Sequence, residues 1–346
     1  MAADKIYRVI QWATGNVGSR ALRTVIEHPQ MELVGVYVTS DAKKGKDAGE
    51  LAGLDRATGV KATTSVDDII ALDADCVVYM PAYTNFDDVC RILSSGKNVA
   101  TPRGEFLYPA AMDPEKRAMI EAACREGGTS IHATGSSPGF ITEGLPIPLI
   151  AQQRRLDCLT INEYADMTSR DSPDMIFNLM GFGVSPGQFN QQMLQHVKHD
   201  FAGSLYQLAD AMRTPLEDIT VAGEFGIANN DAKIAAGVIP AGTVGALRIT
   251  VSGIYKGKPI LRFIANWYCT ADIDKDWKLR ESGWKVEVRG DTPMDVDITY
   301  PVAPEDYAAF TPGLTAHPVV NAIPAVCDAE PGIRSKMDLP HIVATF

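Results

Sequence analysis

One stretch near the start of the chain constrains its fold more than any other: Tyr7 to Ile26, YRVIQWATGNVGSRALRTVI. An apolar run (Val9, Ile10, Trp12) ends at a turn, Ala13-Thr14-Gly15-Asn16-Val17-Gly18, and Ala21, Leu22, Val25 and Ile26 then recur at helical spacing. Strand, turn and helix in that order make a cradle for a dinucleotide. The free backbone N–H groups and the dipole at the start of the helix both favour a pyrophosphate. Gly15 lets the phosphate approach the backbone, and Gly18 lets the helix pack against the strand. Ala13 stands where the usual pattern has its first glycine, so the turn by itself also reads as an ordinary strand-to-helix connection. The chain that follows favours the cradle, because the βαβ context it requires comes at once.

Met31 to Thr39 reads as a second buried parallel strand, and the pattern then repeats. Strands are expected near Val60 to Thr63, Cys76 to Met80, Asn98 to Thr101 and Thr129 to Ala133, with helices at Val66 to Leu72, Asn85 to Ser94 and Pro114 to Glu126. This alternation predicts an α/β fold, a Rossmann-type doubly wound parallel sheet whose ligand lies beyond the carboxyl ends of the strands. Four loops are nominated there: Ala13 to Gly18, Pro81 to Thr84, Thr101 to Glu105 and Thr134 to Phe140. Thr39 and Ser40 occupy the place where a carboxylate would bind the ribose of NAD, and Lys43, Lys44 and Lys46 follow. Small hydroxyls and lysines suit a 2′-phosphate, so NADP is expected, while Asp41 keeps NAD open. The expected cofactor contacts are residues 13 to 18, Thr39, Ser40, Pro81, Ala82 and Thr101.

Past Gly144 the texture changes to a strand at Leu156 to Ala165, helical stretches between Pro186 and Met212, and a hairpin at Val244 to Thr270 turning at Lys256-Gly257. Strands at Trp284 to Arg289 and Met294 to Tyr300 complete a mixed sheet with helices on one side. Residues 144–312 are therefore expected to form an α+β substrate-binding and dimerisation domain. Residues 1–143 would form the dinucleotide domain, joined by an apolar return over 313–346. A net charge of −11 argues against nucleic acid and anionic membranes as partners. The chain has no apolar run of membrane-spanning length and no leader pattern, which points to the cytoplasm. Six scattered cysteines and an isolated His196/His199 pair give no metal site.

The loop Thr101-Pro102-Arg103-Gly104-Glu105 ends the strand nearest the expected nicotinamide, which makes Arg103 and Glu105 the candidates for polar chemistry. It contains no lysine to handle the proton of an alcohol. Its carboxylate instead suits a cation such as an amine or iminium ion. This loop, together with VIQWATGNVG, KDAGELAG (Lys46 to Gly53) and VNAIPAV (Val320 to Val326), resembles the dihydrodipicolinate-reductase-like group, and most closely its 2,4-diaminopentanoate and native amine dehydrogenases. The resemblance implies reversible NAD(P)-dependent oxidative deamination of an amine to a ketone, with ammonia as co-substrate in reverse and Glu105 as the catalytic carboxylate. A homodimer is expected, with the second domain's sheet supplying the dimer surface, and Asn321 in the tail motif joins the expected cofactor contacts. The paired-histidine and lysine motif of true dihydrodipicolinate reductases is absent; Glu163 to Thr168 stands in that region. Phe140, Tyr164, Met167, Phe182 and Trp267 are candidate apolar walls, and Asn162, Asp166 and Asn266 are candidate polar contacts to substrate. An imine reductase releasing no ammonia, or an NADP-binding sensor without turnover, would use the same cradle.

Overall fold

The computed structural model describes residues 5–187 and 191–346, which divide into two compact units, Met1–Phe140 with Val302–Phe346, and Ile141–Pro301. The first begins with β1 (Tyr7–Trp12), α1 (Asn16–Glu27), β2 (Met31–Tyr37), α2 (Ala48–Leu51), β3 (Ala62–Thr63), α3 (Val66–Ala71) and β4 (Cys76–Tyr79). It continues with α4 (Phe86–Ser94), β5 (Asn98–Thr101), α5 (Pro114–Gly127) and β6 (Ser130–Ala133). Local chemistry marks the helix ends. Asp47, Ser65, Asn85 and Asp113 each cap their helix by accepting a backbone N–H, and Gly128 closes α5 in the left-handed conformation.

The second unit contains α6 (Pro146–Ile150), β7 (Leu156–Asp166), α7 (Gln191–Ala211), β8 (Asp218–Ile227), β9 (Ala232–Ile234) and β10 (Gly237–Ile239). Then come β11 (Val244–Tyr255), β12 (Lys258–Tyr268), β13 (Gly283–Gly290) and β14 (Met294–Thr299). Its six-stranded sheet has the order β14-β13-β7-β12-β11-β8, and its β7–β12 pairing is parallel. The β11–β12 hairpin turns at Lys256 and Gly257, both at positive φ, as a tight turn matched to strand twist requires. On one face α7 packs against the sheet, with the Phe201 ring stacked 3.6 Å from that of Phe263. The chain then returns to the first unit as α8 (Tyr307–Asn321), α9 (Ile323–Cys327) and β15 (Gly332–Arg334).

The first unit's sheet is seven-stranded and parallel in the order β15-β6-β5-β4-β1-β2-β3. Both of its faces are buried. Ile10, Val77, Val99 and Ile131 face one core cluster, while Val9, Val78 and Ala100 meet Ala316, Val319, Val320 and Ile323 of the returning helices. Two details differ from the sequence reading. β2 stops at Tyr37, two residues before the expected end, so Thr39 and Ser40 stand exposed beyond it. Four strands lacked a sequence signal: β8, β9, β10 and β15. Among the described residues no helix is long and apolar enough to cross a membrane.

Candidate active site

The turn after β1 is held by its own residues. Ala13 adopts a left-handed φ of 70°, the conformation a glycine would take without strain. Buried Gln11, two residues earlier on the strand, donates from Nε2 to the Ala13 carbonyl at 2.8 Å and fixes that conformation. A side chain at Gly18 would collide with the same carbonyl, so Gly18 is needed for α1 to pack on β1. Gly15 differs: its φ is −71°, and a Cβ there would meet nothing within 4 Å. Gly15 and Asn16 are exposed, Val17 is half-buried, and Thr14 is buried.

Alone among the first five helices, α1 begins with no side-chain cap, and no acidic residue lies in its first turn. Its leading N–H groups have no partner within the helix and are left to an anion. Lys43, in the segment after β2, reaches back to this turn and donates to the Thr14 carbonyl at 2.6 Å and to its hydroxyl at 3.2 Å. These residues fit a dinucleotide. The open space at Gly15 and the uncapped helix would take its pyrophosphate.

The loops after β4 and β5 lie next along the same carboxyl edge, since β5, β4 and β1 are neighbours. Thr101, fully buried, donates to the Tyr79 carbonyl at 2.6 Å and accepts the Arg103 N–H at 3.1 Å. Its hydroxyl is thereby committed to joining the strand ends, which leaves the expected cofactor contact to its backbone. Arg103 then spans both loops: Nε donates to the Thr84 hydroxyl (3.1 Å), Nη1 to the Ala82 carbonyl (2.8 Å) and Nη2 to Glu105 Oε1 (2.7 Å). Thr84 donates its own proton to Glu105 Oε1 at 3.0 Å, closing a ring. Burial pushes the Glu105 carboxyl up, but the Arg103 guanidinium, with smaller help from the residue's own backbone N–H and from Thr84, outweighs it and holds the group below the usual glutamate range. Pro81 is half-buried and Ala82 exposed on this edge.

One expected cofactor contact lies apart. Asn321 ends α8 and lines a cavity with Lys5, Tyr7 and Asp328, at the amino end of β1 and the far end of the strand from the turn. It is not among the residues gathered at the carboxyl edge, because α8 runs antiparallel to the strands it covers. Phe140, at the end of the first unit, is 49 % exposed.

In the second unit the pleat sets the expected residues of β7 on one face. Successive side chains of β7 alternate between faces, so Asn162, Tyr164 and Asp166 share one face and Glu163 the other. Asn162 bonds Glu287 Oε2 at 3.0 Å, and Asn266, fully buried, accepts Arg248 Nε at 2.7 Å and donates to the Glu163 carbonyl. Asp166 accepts the Thr168 N–H at 2.8 Å. These polar groups are thus occupied within their own sheet. Trp267 and Met167 join Met175, Phe177 and Met180 around a core that includes Phe182, which is 0 % exposed and cannot be an open wall. The sequence reading passed over Glu163, whose two oxygens accept the indole N–H groups of Trp267 and Trp284 at 3.0 Å each. It also passed over Gln11 and Thr84. Gln11 alone left a signal, a polar residue inside the apolar run Val9 to Trp12.

Known proteins resemble the chain along its whole length. The family model for the dihydrodipicolinate reductase N-terminus matches residues 9–98, and that for the 2,4-diaminopentanoate dehydrogenase C-terminal domain matches residues 145–346. An amine dehydrogenase from Streptomyces virginiae is 30% identical over 96% of this chain and 95% of its own. A 2,4-diaminopentanoate dehydrogenase from Acetoanaerobium sticklandii is 24% identical over 80% and 77%, respectively. The solved structure of an amine dehydrogenase from Mycobacterium smegmatis shares the fold, with a TM-score of 0.76 at 19% identity over 98% of this chain and 97% of that one.

Proposed function

The chain belongs to the family of amine dehydrogenases and 2,4-diaminopentanoate dehydrogenases, and from that membership we propose that it catalyses reversible oxidative deamination of an amine to a ketone. In reverse the reaction is reductive amination of a ketone with ammonia. The enzyme is an oxidoreductase that uses a nicotinamide cofactor, which supplies the hydride chemistry when bound. Residues 13 to 18 hold the pyrophosphate, Thr39 and Ser40 with Lys43 face the adenosine end, and Pro81 and Ala82 border the nicotinamide end. NADP is the favoured form, since no carboxylate stands at Thr39 or Ser40.

One observation carries the chemistry: the Glu105 carboxylate, tied by Arg103 and Thr84 at the carboxyl edge of the sheet, in a loop without lysine. A carboxylate about 4 Å from an iminium ion contributes on the order of 4 kcal/mol at intermediate dielectric. Residues 144–312 serve as substrate and dimerisation domain, and the protein works as a cytoplasmic homodimer. The Met- and Phe-rich surroundings of Met167 and Trp267 suit an aliphatic substrate. The test is a screen of short ketones for oxidation of reduced cofactor with and without ammonium. Turnover that requires ammonium supports the reading; ammonium-independent reduction would replace it with an imine reductase, and tight cofactor binding without turnover would replace it with a sensor.

A further inference from the structure

We propose that Arg103, braced by Thr84 and the Ala82 carbonyl, is a positioning residue that keeps Glu105 a fixed anion and takes it out of proton transfer. The proposal rests on the deamination reading above and concerns how the same site works. All three guanidinium nitrogens are used, two on the loop after β4 and one on Glu105, so the carboxylate is tied to a neighbouring strand end as well as to its own. Both side-chain bonds fall on Oε1, one from a cation and one from a hydroxyl. Such a partner set opposes protonation of the carboxylate. Beside this ring lies Tyr79 of β4, whose phenol feels the charges of Asp88 of α4, Arg103 and Glu105.

The reaction balances without a protein base. A neutral primary amine that gives up hydride becomes a primary iminium cation: its carbon is oxidised by two electrons, the nicotinamide is reduced, and no proton is left over. Water adds to the iminium carbon, and the nitrogen leaves as ammonium, taking both protons of that water. What the site must supply is a negative charge beside the cation, held still before the cation forms.

Two measurements test this. In cofactor-free protein with carboxyl-labelled glutamate, NMR follows the titration of Glu105, assigned by its loss in Glu105→Gln. The wild-type group should titrate below ordinary glutamates, Arg103→Met should raise it, and Arg103→Lys should fall between. An unchanged titration in a folded Arg103→Met would overturn the clamp. If that variant fails to fold, Arg103→Lys decides on the same criterion. Second, the acid limb of kcat/KM for deamination should follow the amine's own pKa and move when an amine of lower pKa is used. A limb that stays put would return Glu105 to the role of base. Arg103→Met should also lower kcat on the order of 10²-fold with KM little changed. If no amine turns over, the functional reading fails, and the NMR titration still judges the clamp.

Discussion

The turn after β1 and the loops after β4 and β5 sit side by side on one sheet edge yet are built from opposite materials. The turn works through missing side chains: Gly15 opens onto empty space, Gly18 lets two backbones touch, and α1 carries no cap. The neighbouring loops work through side chains that are present, with Arg103, Thr84 and Glu105 closing a ring. A site made of backbone tolerates almost any chemistry in its ligand beyond an anion. A site made of a charged ring is specific to one charge type. The first binds what a large class of enzymes share, and the second decides what this one does.

The sharpest test of that division is Glu105→Gln, which should lower turnover about 10²–10³-fold through loss of the charge beside the iminium ion while cofactor affinity is retained. Turnover within about threefold of wild type would make the ring a bystander. The converse variant is Gly15→Val. It should weaken cofactor binding on the order of 10²-fold in titrations that follow cofactor fluorescence, with thermal stability of the free protein unchanged, because the new side chain meets only the ligand's space. Gly18→Ala should instead lower stability by about 1–3 kcal/mol in denaturant unfolding, since its methyl group meets the Ala13 carbonyl. If the two glycine variants behaved alike, the turn would not be divided into a ligand position and a packing position.

Acid should loosen the scaffold beneath both loops. His132, in β6, lies with Nδ1 2.7 Å from the Arg334 carbonyl of β15, and its Nε2 is buried with no hydrogen-bond partner. Burial, only partly offset by the Arg334 bond, lowers its pKa from 6.5 to about 4. The folded state therefore favours the neutral ring. Stability is fully present above the unfolded value and falls as pH drops from 6.5 towards about 4, by about 3 kcal/mol in all. Denaturant unfolding across that window checks it, and His132→Gln, which cannot take up a proton, should flatten the slope. The smallest effect is expected at Thr39→Glu, which should turn the preference from NADP to NAD by about tenfold in relative KM through repulsion of the 2′-phosphate.

The two regions also differed in how far they could be read beforehand. Glycine spacing after an apolar strand is a backbone statement, so the turn was legible, and so was the alternating fold around it. That Ala13 would keep the left-handed conformation, and that Gln11 would hold it there, depends on a side-chain bond that no spacing encodes. Glu105 was legible from its loop. Its coupling to Thr84 was not, because that contact joins two loops brought together only by strand pairing. The second unit was less legible for another reason: that Asn162 bonds Glu287 and that Asn266 bonds Arg248 depends on which strands pair with β7 and β12, and no spacing along the chain encodes that. Strand β15 is three residues long, and its pairing with β6 supplies what its own residues do not.

That last strand has a consequence for how the protein is made. The first unit is interrupted by all of Ile141–Pro301, and Val319, Val320 and Ile323, which cover one face of its sheet, are translated after that insertion. A nascent chain therefore has every strand of the second unit in hand while β6 is still an open edge and Val9, Val78 and Ala100 still lack the cover of Val319, Val320 and Ile323. On the ribosome, then, the sheet that begins the chain cannot close until the inserted unit has been made, and until then its open edge and partly covered face are exposed to wrong partners.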